Sequence, residues 1–257
     1  MLERTSYRRW ENAYRISNAA VELVVLADVG PRVISYGFIG AENIFHEVPG
    51  QGGLTGGTDF RLYGGHRAWV WPEVERTYFP DNSAVAVTQS NDNNNDEVVR
   101  FTAPVEGASP GSSLQKELEI QLDEAGSRVT LSHRITNRDS RLTELAAWAP
   151  TMMRAGGRAI LPLPPRAAMD KDHFRSVGDL ALWSFTDLTD PRWILGTEFI
   201  QLRQQSKPNS RFQEQMAGIF NPAGWGAYCL NGALFVKRAS VIPGAEYPDF
   251  GCNFEIS

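Results

Sequence analysis

Length, composition and charge limit the kinds of protein this chain can be. Its 257 residues, 42% of them hydrophobic and 21% charged, are typical of a folded globular chain and fit one large β domain. A formal net charge of −5 without a basic stripe argues against nucleic acid and against a membrane as partners. Cys229 and Cys252 are too few for a disulfide framework, and no signal peptide is visible, so we expect a cytoplasmic protein.

The first part of the chain contains β-branched-rich runs separated by turn residues. Val21–Leu26 and Arg32–Phe38 are predicted strands, joined by a Gly-Pro turn. Residues 85–88 and 98–102 are predicted strands joined by a polar loop. The glycine-rich loop 50–57 lacks the following Lys-Ser/Thr of a phosphate-binding loop, so we interpret it as a rim beside a pocket.

Three runs follow in which polar and apolar residues alternate strictly or in part. Leu114–Leu122 and Val129–Asn137 alternate polar with apolar residues, and residues 142–153 form the most apolar run. The prolines of residues 161–165 predict an irregular crossing that continues to about residue 179, because proline cannot donate to the centre of a sheet. No helix of ordinary length is predicted, so the chain is expected to be all-β and antiparallel.

The strongest local signal lies near the end of the chain. Residues 225–230 and 233–237 flank Asn231-Gly232, the dipeptide that a type I′ hairpin turn favours. A β-hairpin is therefore predicted here. Residues 199–204 are a further candidate strand.

Residues 63–73 bring together the side chains that a pocket for a polar ligand needs. His66 can exchange a proton near neutral pH, and Arg67 offers a planar fork of donors for hydroxyls or anions. Trp69 has a flat apolar face that can cover a sugar ring, and Glu73 adds a carboxylate. If the segment is extended, His66 lies on one face and Arg67 and Trp69 on the other, unless a bulge re-aims one of them.

Each of these residues also has a structural interpretation. His66 can be a hydrogen-bonded core histidine, Trp69 can be core filler, and Glu73 can form a salt bridge with Arg67 or Arg76. His133 alternates with Leu131 and Ile135, which is typical of a histidine on a sheet face. No cluster has the spacing of metal ligands, so neither a metal nor another cofactor is expected.

Several motifs together resemble the galactose mutarotase-like (aldose 1-epimerase-like) superfamily and, within it, an uncharacterised bacterial family. The segments that carry the resemblance extend over nearly the whole chain. They are Asp28-Val-Gly-Pro-Arg-Val-Ile-Ser-Tyr36 with Asn43, Tyr63-Gly-Gly-His-Arg-Ala-Trp-Val-Trp-Pro-Glu73, Trp148-Ala-Pro-Thr-Met-Met-Arg-Ala-Gly-Gly157, Leu182-Trp-Ser-Phe-Thr-Asp187 with Asp190-Pro-Arg192, and Trp225-Gly-Ala-Tyr228.

The resemblance implies one domain over residues 1–257, a large antiparallel β-supersandwich that binds a small carbohydrate in a concave face. In mutarotases a glutamate base takes the proton of the anomeric hydroxyl while a histidine acid protonates the ring oxygen. The ring opens and closes again on either face. This chemistry needs two titratable groups on either side of one ring carbon and oxygen.

Carried over by position, the resemblance assigns roles to particular residues. His66 with Arg67 matches the first, substrate-contacting histidine region, whereas the acid histidine falls where this chain has Trp148. Glu255 is the only candidate for the base in the last segment, which resembles the family's penultimate strand region. If the position that matches the base lies beyond residue 257, either Glu255 takes its place or the carboxylate is absent; Glu73 paired with His66 is the further alternative.

Three functions remain open on this evidence. The first is an aldose epimerase with His66, Glu73 and Glu255 as catalytic residues. The second is a sugar-binding protein without catalysis. The third is a lyase or hydrolase of larger glycans, which fold analogy alone supports. In the first two cases the predicted sugar contacts are the following side chains: Asn43, Arg67, Trp69, Trp148 and Trp183.

Overall fold

The computed structural model describes residues 1–72, 79–91, 97–106, 113–171, 174, 176–205 and 214–257. Nearly all of its regular structure is antiparallel β-sheet, which confirms the all-β prediction. In the described ranges the one helix-like segment is the single turn α1 (Pro248–Gly251), and it is irregular, because Asp249 and Phe250 have positive φ angles of 51° and 62°. In the same ranges no helix has the length and hydrophobicity that crossing a bilayer requires.

The chain divides into two compact units, residues 1–154 and residues 155–257. The strands of the first unit are β1 (Leu2–Tyr7), β2 (Trp10–Ser17), β3 (Val21–Leu26), β4 (Arg32–Phe38), β5 (His66–Arg67), β6 (Trp69–Trp71), β7 (Ala86–Asn91), β8 (Glu97–Thr102), β9 (Leu114–Leu122), β10 (Val129–Asn137) and β11 (Ala146–Trp148). The strands of the second unit are β12 (Arg158–Pro162), β13 (Leu180–Leu182), β14 (Trp193–Leu195), β15 (Phe199–Arg203), β16 (Ala217–Ile219), β17 (Trp225–Leu230), β18 (Ala233–Arg238) and β19 (Phe254–Ile256).

Two antiparallel sheets form most of the first unit. One has the strand order β1-β2-β3-β4-β5, the other has the order β10-β9-β8-β7, and β11 pairs with β6 as a separate ribbon. Their buried faces contact each other: the rings of Tyr14 on β2 and Phe101 on β8 meet edge to face, with centroids 5.7 Å apart. Apolar burial between these faces is the main favourable term in the stability of the unit.

Alternation along β9 shows how sequence directs side chains into this core. Leu114, Lys116, Leu118 and Ile120 are buried, whereas the residues between them are partly exposed. Three of these four are apolar, as the period of a strand with one buried face requires. Lys116 is the exception, and its charge is neutralised inside the unit.

The second unit also has two sheets, with strand orders β14-β15-β12-β17-β18 and β13-β16-β19. A cluster of buried apolar side chains, among them Leu161, Trp193, Leu202 and Phe254, forms its core. Leu161 and Pro162 belong to β12 in the interior of the larger sheet, which corrects the prediction that residues 161–165 leave the sheet. Proline is accommodated because β17 pairs with β12 only at residues 158–160.

Several other strand predictions can be compared directly. The hairpin of β17 and β18 is confirmed, with Asn231 and Gly232 both at positive φ as a type I′ turn requires. The apolar run 142–153 forms only the short strand β11. Strands β1 and β2 were not predicted, because their polar and charged residues hide the apolar positions that β2 buries.

The chain reverses sharply just before His66. Tyr63, Gly64 and Gly65 have φ angles of 54°, 109° and 70°, three consecutive residues in the left-handed region. A Cβ atom on Gly65 would lie 2.1 Å from the carbonyl oxygen of Val33, so only glycine fits here.

Substituting Gly65 with alanine therefore tests whether this reversal is required. Gly56 is the matched control, because its φ of 64° is similar to the 70° of Gly65 while no atom lies within 4 Å of its added Cβ. We expect Gly56→Ala to lower the free energy of unfolding by about 1 kcal/mol through backbone strain alone. Gly65→Ala should lower it by a further 1–3 kcal/mol or so because of steric overlap. Urea unfolding measures both, and equal losses would contradict the structure.

Candidate functional site

Two histidines from different sheets meet inside the first unit. Nε2 of His66 on β5 lies 2.8 Å from Nε2 of His133 on β10, and the ring centroids are 5.0 Å apart. Such a contact needs one donor and one acceptor, so one of the two nitrogens carries the hydrogen. His66 is buried and His133 is half-buried.

The backbone ladder fixes His66 from both sides. His66 pairs with Val33 on β4 and bridges to Thr151 in the segment that follows β11. The Thr151 hydroxyl lies 2.7 Å from Nδ1 of His66, so the second ring nitrogen is also held. A ring held at both nitrogens keeps one orientation and directs Nε2 toward His133.

A buried charge network lies beside the histidine pair. The carboxylate of Asp81 accepts hydrogen bonds from Arg32 at 2.6 Å and from Arg67 at 3.2 Å. Arg32 also donates to the carbonyl oxygens of Leu62 and Gly64, at 2.8 and 2.6 Å. The side chains of Arg32, Asp81 and Arg67 are only 1%, 5% and 8% exposed, so their charges interact with little solvent screening.

The ring of Trp69 lies between two cations. The guanidinium carbon of Arg67 is 4.0 Å from the centroid of the ring, and Nζ of Lys116 is 4.4 Å from it. Lys116 in turn forms a 2.7 Å salt bridge with Glu106. Cation–π contacts of this kind are strengthened by burial, and Trp69 is only 1% exposed.

Burial and neighbouring charges together lower the pKa of Asp81 and raise that of Glu106. Burial alone would raise the pKa of Asp81, but the charges of Arg32, Arg67 and Lys116 outweigh it and hold that pKa below its ordinary value. For Glu106 burial dominates and raises the pKa, although Lys116 opposes the shift. Asp81 is therefore a stable anion in the folded protein, whereas the pKa of Glu106 lies above its ordinary value.

Some of the residues predicted to bind a sugar already form hydrogen bonds or ring contacts with other residues of the protein. The amide of Asn43 accepts from the backbone N–H groups of Tyr36 and Phe45 and donates to the carbonyl of Ile34 and to Glu47. These four contacts use the hydrogen-bonding capacity of the amide. Arg67 and Trp69 are buried against each other, as described above. Trp148 on β11 is half-buried and pairs with Trp69 across the ribbon.

The remaining predicted residues belong to the second unit or fall outside the described ranges. Trp183 and Glu255 belong to the second unit, Trp183 in a turn closed by Thr186 and Glu255 on β19. Burial, with help from the charge of Glu255, raises the pKa of the Cys252 thiol to about 11. Glu73 lies outside the described residues, as does loop 92–96, so the predicted role of Glu73 stays a prediction.

The sequence contained a signal for the residues that were not predicted. His133 and Lys116 each occupy a position where strand alternation expects an apolar residue, between Leu131 and Ile135 and between Leu114 and Leu118. Arg32 likewise begins a strand whose next two residues are buried and apolar. A charged or titratable residue on the buried face of a strand needs a partner. His133 has His66, Lys116 has Glu106 and Arg32 has Asp81.

Comparison with known proteins found no similar protein. Neither the protein-family models nor the curated proteins nor the solved structures contain a match to the sequence. Within the described ranges, no group of three or more His, Cys, Asp or Glu side chains is placed to hold a metal ion.

Replacing Asp81 with asparagine tests the importance of the charge network. The substitution keeps the shape but leaves Arg32 and Arg67 buried without a carboxylate, so we expect the free energy of unfolding to fall by about 3–5 kcal/mol. The matched control is Asp123→Asn, which removes an exposed salt bridge with Arg128 and should change stability by less than about 1 kcal/mol. Urea unfolding followed by tryptophan fluorescence measures both. Equal losses of unfolding free energy in the two variants would show that the buried network contributes no more to stability than an exposed salt bridge.

The stability difference between wild type and Asp81→Asn should depend on pH. The folded-state pKa of Asp81 is lowered, so its contribution is fully present above its unfolded pKa of about 4 and is lost as the pH falls through the folded pKa. Unfolding at a series of pH values should show a constant difference above about pH 5 that shrinks below about pH 4. A difference that grows on acidification would contradict this assignment.

Proposed function

We propose that this protein binds a small carbohydrate as a member of the aldose 1-epimerase-like class and that His66 and His133 exchange protons with it. The observation that carries the proposal is the 2.8 Å contact between the two Nε2 atoms. One nitrogen of the pair donates and the other accepts, so a donor and an acceptor stand side by side. This is the pair of functions that opening and closing a sugar ring needs.

His133 takes the place of the acid that the sequence lacks at Trp148. A tryptophan N–H does not release a proton with useful acidity, whereas an imidazolium does. Because Thr151 is hydrogen-bonded to Nδ1 of His66, proton exchange of His66 is directed to Nε2. The base is then either the second imidazole or one of the predicted carboxylates, Glu73 and Glu255.

The sugar approaches from the side of His133, which is half-buried, whereas His66 is only 5% exposed. An oxygen of the sugar replaces the direct contact between the two imidazoles and bonds to both. Trp148 is the aromatic residue that we propose stacks on the ring, because the face of Trp69 is covered by Arg67.

In this proposal the fold is the supersandwich of the mutarotase-like class, supported by the two facing sheets of the first unit.

A second candidate function is sugar binding without catalysis. It is favoured by the same contact, since the two Nε2 atoms are engaged with each other. If the pair never separates, it is a structural link between β5 and β10, and a sugar would contact only half-exposed side chains such as Trp148.

Saturation-transfer NMR with a panel of free aldoses, aldose 6-phosphates and uronates, with anomer exchange recorded in the same samples, tests the proposal. We expect exchange to be accelerated by the wild type and to fall by about 10²- to 10⁴-fold in His66→Gln and in His133→Gln. The matched control is His46→Gln, because His46 is half-buried in the same unit and takes no part in the pair. It should behave as the wild type.

Other outcomes distinguish the alternatives. Binding without exchange would establish the non-catalytic function, and exchange that survives both histidine substitutions would exclude the pair as the proton-exchanging group. Glu73→Gln and Glu255→Gln belong in the same series, since a loss as large as that of the histidine variants would identify the base. The absence of both binding and exchange would leave longer glycans as substrates to examine.

A further inference from the structure

A small cavity lies beside the buried charges of the first unit. Its volume is about 220 Å³, and it is lined by residues 79–81 and 103–106 together with Gly30 and Ser83. At about 30 Å³ per water molecule it has room for about seven waters, so it suits a ligand of only a few heavy atoms. Its wall is about half apolar, with Phe79, Pro104 and Val105, and half polar, with Asp81, Ser83 and Glu106 among the lining residues.

Glu106 is incompletely satisfied at this cavity. Its Oε2 accepts from Nζ of Lys116 at 2.7 Å, but its Oε1 is buried and accepts no hydrogen bond from any residue that the structure describes. The side chain is 9% exposed. A buried carboxylate oxygen without a donor is unfavourable, so a ligand that supplies a donor stabilises the site.

The charges around the cavity determine which net charge of a ligand is favourable. The network contains three cations, Arg32, Arg67 and Lys116, and two carboxylates, Asp81 and Glu106, which leaves one net positive charge. A cationic ligand would add to that excess in a region of low polarity. An anionic ligand would face the two carboxylates that line the cavity. A neutral hydroxyl avoids both penalties.

We infer that the cavity beside Asp81 and Glu106 is a binding site for a small neutral polyhydroxylated molecule, one hydroxyl of which donates to the Glu106 carboxylate. The carbon chain of the ligand packs against Phe79 and Pro104, and Ser83 lies at the exposed rim. Pockets with apolar walls and a few convergent polar groups are the usual form of small-molecule sites. This site does not depend on the proposed function, since it includes neither His66 nor His133.

A matched series of three-carbon probes tests the inference: glycerol, its cationic analogue 3-aminopropane-1,2-diol and its anionic analogue glycerate. Binding is measured by saturation-transfer NMR and by the ¹³C shift of the Glu106 carboxyl in protein labelled at glutamate. We expect glycerol to bind and to shift the Glu106 signal, and both charged analogues to bind more weakly.

Two variants locate the site. Glu106→Gln presents an amide where the carboxylate stood and should weaken glycerol binding about tenfold or more. Ser83→Trp blocks the rim without touching the buried charges and should abolish binding even if Glu106→Gln folds poorly. Ala84→Trp is its control, because Ala84 is the next exposed residue and does not line the cavity. His66→Gln should bind glycerol as the wild type does, which separates this test from that of the proposed function.

Three results would overturn the inference. The first is the absence of glycerol binding to the wild type, the second is stronger binding of either charged analogue, and the third is glycerol binding that Ser83→Trp leaves unchanged.

Discussion

The carboxylate of Asp81 is the interaction on which the first unit depends. It joins Arg32 on β4 to Arg67 on β5, and Arg32 also holds two carbonyl groups of the chain just before β5. Three buried charges in contact are favourable only as a complete set, because each has given up its hydration. The network therefore fixes the position of one particular stretch, residues 62–67, relative to the sheet beside it.

That stretch carries the histidine of the candidate site. His66 is adjacent to Arg67 in the chain, and its backbone is paired on both sides, so the salt bridge of Arg67 with Asp81 helps to fix the backbone that carries the imidazole. His133 comes from a different sheet and contributes its Nε2 from the opposite side. His66 is therefore held in one orientation, because its backbone is paired on both sides and its Nδ1 contacts Thr151.

The buried cations explain why two of the residues that look suited to a sugar are not exposed to one. Arg67 and Trp69 form one stack with Lys116, in which the charge of each cation is balanced by a carboxylate and the indole separates them. A guanidinium with five donors and an aromatic face suit a ligand, but they suit each other equally well. Composition alone does not distinguish these two uses. The burial of Trp69, at 1% exposure, shows which one the fold adopts.

The sequence by itself determined the class of the fold and several of its parts. Alternation in β9 and β10 and the Asn231-Gly232 turn depend on neighbours close in the chain, so their period and turn chemistry can be recognised without a structure. It also pointed to residues 63–73 as a chemical centre. Strands β1 and β2 escaped recognition because their polar residues mask a pattern that only a partner sheet reveals.

Only the tertiary structure decided which charged residues meet. His66 and His133 are 67 positions apart in sequence, and Arg32 and Asp81 are 49 apart. Their contacts follow from the pairing of sheets and from the left-handed reversal at Gly64 and Gly65, which places β5 between β4 and the segment at Thr151. Sequence periodicity assigns a side chain to a face of its own strand, because that depends on local backbone geometry. Which side chain lies opposite it depends on the packing of distant segments, and no local pattern contains that information.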